Sequence, residues 1–228
     1  MQIIYWSDYA CPFCYIGEGF LKQAIAKLDT NEKFEFVMKA FQLDPGAPLK
    51  AEKPNIERTM AKYHMTREQA EGRLAQMNAM AAAAGLEFNY ATALNTNTLD
   101  AHRLTKYAQR EEPEKAAGLI EALYENYFVR NTELADHDVL KAAAAEAGLN
   151  MERVEQVLAS DEYLHKVRGE IQEAAEMGIR GVPFFIIGKY GVSGAQPEEY
   201  FHAVFEQVQK ETLEEMQGAV CGPDGCAD

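Results

Sequence analysis

The chain has 228 residues, enough to bury a core without disulfide staples. Apolar residues make up 47% and charged residues 25%, the balance of a globular protein, and no stretch is long enough to span a bilayer as a helix. The formal net charge of −14, from 22 basic and 36 acidic side chains, repels nucleic acid and anionic membrane and removes both from the expected partners.

The chain opens on an apolar run, Ile3-Ile4-Tyr5-Trp6, that predicts a strand. Cys14, Gly17, Leu21, Ala24, Ile25 and Leu28 then recur at three- and four-residue spacing, which predicts one buried helix face. Between them lies Ser7-Asp8-Tyr9-Ala10-Cys11-Pro12-Phe13-Cys14, so both cysteines sit where a strand gives way to a helix. Free N–H groups and the positive end of the macrodipole favour an anion there, and Pro12 suits the first helical position because it has no N–H to satisfy. A cysteine so placed is expected to carry a large thiolate fraction, which makes Cys11 the nucleophile. Cys14, one turn further on, is placed to attack a mixed disulfide formed on Cys11. Two other readings of the pair compete: half of a zinc site completed by Cys221 and Cys226, and an inert structural pair. A redox dithiol is preferred because the pair opens a long amphipathic helix rather than a small metal-held knuckle.

A second strand is expected at 33–41, with Phe34, Phe36 and Met38 on one face, before Asp44-Pro45-Gly46-Ala47-Pro48 ends it. From about 55 to 177 the chain turns alanine-rich and helical, with helices expected at 55–64, 66–85, 98–110, 113–129, 136–148, 151–160 and 161–177. Thr66 with Gln69 reads as a capping box, Asp136 and Asn150 as caps, and Gly85 and Gly148 as C-terminal stops. Strand character returns at Gly181-Val182-Pro183-Phe184-Phe185-Ile186-Ile187-Gly188 and again at Val192-Ser193. A last helix runs from 197 to about 216, with Pro197 at its start.

A β-α-β start carrying Cys-Pro-x-Cys and a β-β-α ending opened by Gly-Val-Pro together resemble the α/β thioredoxin-like fold. The helical block between them resembles the large all-helical insertion of DsbA-type thiol-disulfide oxidoreductases. Within that family the chain is similar to the FrnE-like branch, through Asp8-Tyr9-Ala10-Cys11-Pro12-Phe13-Cys14, Asn97-Thr98-Leu99-Asp100-Ala101-His102-Arg103-Leu104, and Gly181-Val182-Pro183-Phe184-Phe185 with Gly194-Ala195-Gln196. The expected layout is a discontinuous thioredoxin-like domain at 1–48 and 178–216, a helical insertion at 49–177, and a mobile tail at 217–228 that holds the second cysteine pair.

The resemblance implies a cis peptide bond at Val182-Pro183, with the proline against the reactive cysteine and Val182 offering its backbone to an extended substrate. Read from the residues alone, the same proline simply starts an edge strand. His102 would lie on an insertion helix facing the dithiol, either relaying a proton to a thiolate or serving as a packed core residue. Asp8 is expected to fix the turn into Cys11, and Trp6 and Phe13 to line the surface around it. Relatives in the same group include kappa-class glutathione transferases and 2-hydroxychromene-2-carboxylate isomerases, in which a serine replaces the first cysteine. The cysteine here argues against that chemistry but leaves glutathione as a redox partner.

In the tail, Pro223-Asp224-Gly225 turns the chain between Cys221 and Cys226. That pair reads as a second redox pair, a zinc-binding tail, or a solvent-exposed disulfide of no consequence. The expected activity is thiol-disulfide exchange with protein or small thiols, with no cofactor or metal beyond the dithiol. The non-enzymatic alternative is a zinc-held chaperone or interaction module. The first residues show no basic, apolar and small-residue sequence of a secretory signal, and a cytoplasmic setting is expected.

Overall fold

The computed structural model describes residues 1–220. The readings of Cys221 and Cys226 lie outside the described residues. The opening run forms β1 (Gln2–Ser7), followed by α1 (Pro12–Ala26) and β2 (Glu35–Ala40). Seven helices come next: α2 (Asn55–Tyr63), α3 (Arg67–Ala83), α4 (Leu99–Glu111), α5 (Pro113–Phe128), α6 (His137–Glu146), α7 (Met151–Leu158) and α8 (Leu164–Glu176). β3 (Phe184–Ile187), β4 (Tyr190–Ser193) and α9 (Glu198–Val220) complete the described chain.

The strands form one sheet in the order β2-β1-β3-β4, with β1 parallel to β2 and the other pairs antiparallel. Side chains alternate across a strand, so the sheet has two apolar faces. Ile3 and Tyr5 share one face with Phe185 and Ile187 and pack toward α1 and α9, where Leu21, Phe201 and Phe205 are buried. Ile4 and Trp6 share the other face with Phe184 and Ile186, over Ala174 of α8 and Ile179. Trp6 therefore does not line the surface around Cys11. It is buried on the α8 side, and its indole Nε1–H donates to the Glu170 carbonyl at 3.0 Å. The alternation that gives Tyr5 to one face gives Trp6 to the other.

The helical block folds on α4 and α5, and its core is continuous with that of the sheet through Tyr9, Leu104, Leu123 and Tyr124. α2 and α3 carry a smaller cluster of Ile56, Ala70, Leu74 and Met77. The cap signals are realised. Thr66 accepts from the Gln69 N–H while Gln69 accepts from the Thr66 N–H, and Asp136 and Asn150 cap α6 and α7. Each such cap contributes about 1 kcal/mol. Gly85 and Gly148 stop their helices in the left-handed region, at φ +74° and +75°.

α8 starts at Leu164 rather than at 161. Tyr163 turns left-handed at φ +63°, and the Arg103 guanidinium of α4 binds the carbonyls of Val157, Ser160 and Glu162. A buried cation thus takes the carbonyls at the α7–α8 corner that a longer helix would have used.

The outer edge of β2 meets the same two helices. Lys106 Nζ of α4 donates to the Met38 carbonyl and pairs with Glu170 Oε2 of α8 at 2.9 Å. Glu170 Oε2 also accepts from the Ala40 N–H at 2.8 Å, and Gln109 Nε2 donates to the Met38 carbonyl at 3.1 Å. Burial pushes the Lys106 ammonium below its ordinary pKa, although the Glu170 carboxylate pulls the other way.

Candidate active site

Cys11 is the N-cap of α1, in extended backbone at φ −90° and ψ 113°, with Pro12 as the first helical residue. The turn before it is closed by the Cys11 N–H donating to the Asp8 carbonyl at 3.0 Å, and the helix starts with the Cys14 N–H donating to the Cys11 carbonyl at 3.1 Å. Asp8 fixes this turn through its side chain as well. Its Oδ2 accepts from the Leu43 N–H at 2.7 Å, and its Oδ1 accepts from Thr98 Oγ1 at 2.9 Å and the Ala10 N–H at 3.3 Å. One buried carboxylate therefore holds the β1–α1 turn, the exit from β2 and the entrance to α4 together.

The chain returns to Cys11 at the start of β3. The Val182–Pro183 bond is cis, and the Cys11 Sγ–H donates to the Val182 carbonyl at 3.5 Å. The Gly194 N–H donates to the Pro183 carbonyl at 2.8 Å, which fastens this loop to the end of β4. Gly17 on α1 makes the approach possible: a Cβ there would lie 3.1 Å from Pro183 Cγ and 3.3 Å from the Ala195 backbone.

Both cysteines are free thiols, and both are nearly covered, Cys11 at 3% and Cys14 at 1% exposure. Their surroundings differ. Cys11 lines a cleft of about 550 Å³ together with Phe13, Tyr90, Gly181 and Val182. α2 and α3 form its far wall, which brings Arg58, Lys62, Tyr63, Arg73 and Met77 to the same cleft. Cys14 lies behind Cys11, away from that cleft. Burial pushes the Cys14 thiol well above its ordinary pKa and the adjacent Cys11 sulfur pushes it the same way, while the Ser7 hydroxyl and the Asp8 backbone pull it back.

His102 is on the first turn of α4 and fully buried. Its ring packs at a tilt of 37° against Tyr9, centroids 5.0 Å apart, and its Nε2 is 3.6 Å from Asp8 Oδ1, while neither ring nitrogen has a hydrogen-bond partner. The histidine thus sits behind the Tyr9–Asp8 turn, and its polar neighbour is a carboxylate. Phe13 is 37% exposed at the cleft, as expected of a residue beside Cys11. Sequence reasoning did not reach the cleft's Arg58, Lys62, Arg73 and Tyr90, because nothing local says that α2 and α3 fold over the dithiol. It also missed Ser7, Glu18 and Tyr124, the polar groups behind Cys14.

A family model described as a DSBA-like thioredoxin domain matches residues 2–206. The chain belongs to that family. Among DsbA-like proteins of known structure, a probable DsbA oxidoreductase from Streptomyces coelicolor is 36% identical, with a TM-score of 0.84 over 100% of this chain and 99% of that one. A 2-hydroxychromene-2-carboxylate isomerase superposes with a TM-score of 0.70 at 14% identity, covering 94% of this chain and 98% of that one, a likeness of fold. The uncharacterized protein YwbO of Bacillus subtilis is 25% identical over 92% of this chain and 98% of its own length. The DsbA-like fold with its helical insertion is thus established from both the sequence and the structure.

Proposed function

We propose that this protein is a thiol-disulfide oxidoreductase or isomerase that exchanges disulfides with protein or small thiols through Cys11 and Cys14. One observation carries the reading: Cys11 caps α1 at the edge of a cleft, with its sulfur 3.5 Å from the Val182 carbonyl of the cis-proline loop. In the reducing direction the Cys11 thiolate attacks a substrate disulfide R–S–S–R′, forming a Cys11–S–S–R mixed disulfide and releasing R′S⁻. Cys14 then attacks the Cys11 sulfur, closing the Cys11–Cys14 disulfide and releasing RS⁻. The substrate disulfide is reduced by two electrons and the dithiol is oxidised by two. Run backward, the same steps oxidise a substrate dithiol. The backbone of Val182 offers an extended partner a strand-like edge beside the reacting sulfur.

Glutathione fits the same reading as a redox partner. Arg58, Lys62 and Arg73 gather on the cleft wall of an otherwise acidic chain, with Asp44, paired to Arg58 at 3.2 Å, as the acidic residue of the lining; the net positive wall favours a small thiol bearing carboxylates. With Cys11 present, glutathione exchanges with the protein's own thiol instead of supplying a missing one, which disfavours the chemistry of the glutathione-dependent 2-hydroxychromene-2-carboxylate isomerases and kappa-class transferases. A cytoplasmic setting belongs to this reading, since disulfides there are transient and catalytic.

The test is exchange with oxidised glutathione and with a disulfide-scrambled protein. Cys11→Ser is expected to abolish both, and Cys14→Ser to accumulate a mixed disulfide on Cys11 visible by intact mass. Full activity in Cys11→Ser would overturn the assignment.

A further inference from the structure

The cleft that reaches Cys11 does not reach Cys14, yet Cys14 must lose a proton before it can attack. The groups behind it form a connected set. Ser7 at the end of β1 is fully buried, and its hydroxyl faces the Cys14 sulfur. On its other side Ser7 Oγ lies 2.5 Å from the Tyr124 hydroxyl of α5. Tyr124, itself only 1% exposed, lies at the floor of a second cleft, of about 380 Å³, between α1, α5 and the Ala84–Leu86 segment. Glu18 stands in the same cleft, one helical turn beyond Cys14, where it pairs with Lys22 at 3.1 Å and accepts from the Tyr5 hydroxyl at 3.3 Å. The exchange steps described above use none of these groups.

We infer that Ser7 and Tyr124 form a rear proton exit for Cys14, opening to solvent beside the Glu18 carboxylate. The inference rests on the dithiol-exchange reading. Starting from the Cys11–S–S–R mixed disulfide, the Cys14 Sγ–H gives its proton to Ser7 Oγ as Ser7 passes its own to the Tyr124 hydroxyl. Tyr124 passes its own proton to water that reaches it at the floor of the rear cleft. The Cys14 thiolate forms the Cys11–Cys14 bond, the Cys11–S–R bond breaks, and RS⁻ takes a proton from solvent in the front cleft. No proton has to pass the substrate.

The titratable surroundings suit the route. Cys14 is faced by Cys11 of its own helix, by Ser7, Tyr5 and the Asp8 turn from β1 and its end, and by Tyr124 from α5, while Glu18 faces Tyr5 and Tyr124. Tyr9 and His102 lie beyond that turn, and Lys22 covers Glu18 on the solvent side. Burial, with Cys14, Glu18 and Tyr5 nearby, holds the Tyr124 phenol well above its ordinary pKa. It can therefore pass a proton while remaining neutral.

Reaction of the reduced protein with Ellman's reagent separates the two thiol steps in a C221S/C226S background, where only Cys11 and Cys14 report. Attack by Cys11 releases the first thionitrobenzoate, and resolution by Cys14 releases the second. Tyr124→Phe and Ser7→Ala are expected to slow the second release about a hundredfold relative to the first, the lower end of the range for acid–base assistance. They should also shift its pH profile upward and lower its solvent deuterium effect, and Ser7→Thr should restore the rate. Tyr124→Phe keeps the ring and tests the route even where Ser7→Ala fails to fold. Second-phase rates and pH profiles equal to those of the parent in Tyr124→Phe, or both phases slowing in parallel, would overturn the exit. A parent that never releases the second equivalent would fail earlier, overturning the exchange reading together with the exit.

Discussion

Replacing Asp8 tests whether one carboxylate holds the candidate site together. It is 1% exposed, and its two oxygens accept from two backbone N–H groups and one hydroxyl at 2.7, 2.9 and 3.3 Å. Bonds to a charged acceptor contribute about 1.5–3 kcal/mol each, and a buried donor left without a partner costs about 1–3 kcal/mol. The bonds to Leu43 and Thr98 are short and the bond to Ala10 is long, so Asp8→Ala should cost about 3–5 kcal/mol, roughly two strong bonds. Asp8→Asn keeps the oxygen toward Thr98 and Ala10 but turns an amide NH₂ on the Leu43 N–H, so about 1.5–3 kcal/mol is expected. His102 loses its polar neighbour in the first variant and keeps one in the second. Urea unfolding of the reduced protein should therefore rank wild type above Asp8→Asn above Asp8→Ala, with unchanged m-values. An Asp8→Ala protein within about 1 kcal/mol of wild type, or one more stable than Asp8→Asn, would refute this account of the turn.

Lys106→Met leaves the buried Glu170 carboxylate without its close cation and the Met38 carbonyl with Gln109 alone; a loss of about 3 kcal/mol is expected in chemical denaturation, and a loss below about 1 would show that Lys166 takes over the pairing. Glu112 predicts an acid limb. Burial works to raise its carboxyl, but Lys115, Tyr107 and the Asn150 N–H hold it down at about 2, so its contribution is full above the ordinary carboxylate pKa and is lost as pH falls toward 2. Glu112→Gln should flatten the fall in stability across that window, measured by thermal unfolding at stepped pH, and an unchanged slope would count against the assignment.

What the sequence disclosed was what is encoded within a few residues. The β1–α1 switch, the Cys11–Cys14 spacing, the Thr66–Gln69 box and the glycine stops all depend on neighbours in the chain, and each lies where its pattern pointed. The Val182–Pro183 loop was legible only through family resemblance, since a proline before a strand has an ordinary reading of its own. Long-range pairings were hidden. Ser7 and Tyr124 are 117 residues apart, and Lys106 reaches a carbonyl 68 residues away. The late start of α8 escaped notice for the same reason: Arg103, far back in the chain, takes the carbonyls at its corner. Trp6 was misplaced because aromatic character says nothing about face, and only the register of β1 decides that.

The edge of β2 has a consequence for the company this protein keeps. An unpaired strand edge is a template on which a second chain can add itself, and sheets left open in this way seed ordered aggregates. Here the outward carbonyl of Met38 and the outward N–H of Ala40 are already bound, by side chains that α4 and α8 deliver from the helical block. Along that stretch a foreign strand finds those two partners already taken. On the proposed exchange function, extended partner chains would be met at Cys11, and an open sheet edge would compete for them. The helical block that walls the cleft beside Cys11 thus also occupies part of the β2 edge, the flank of the sheet opposite β4.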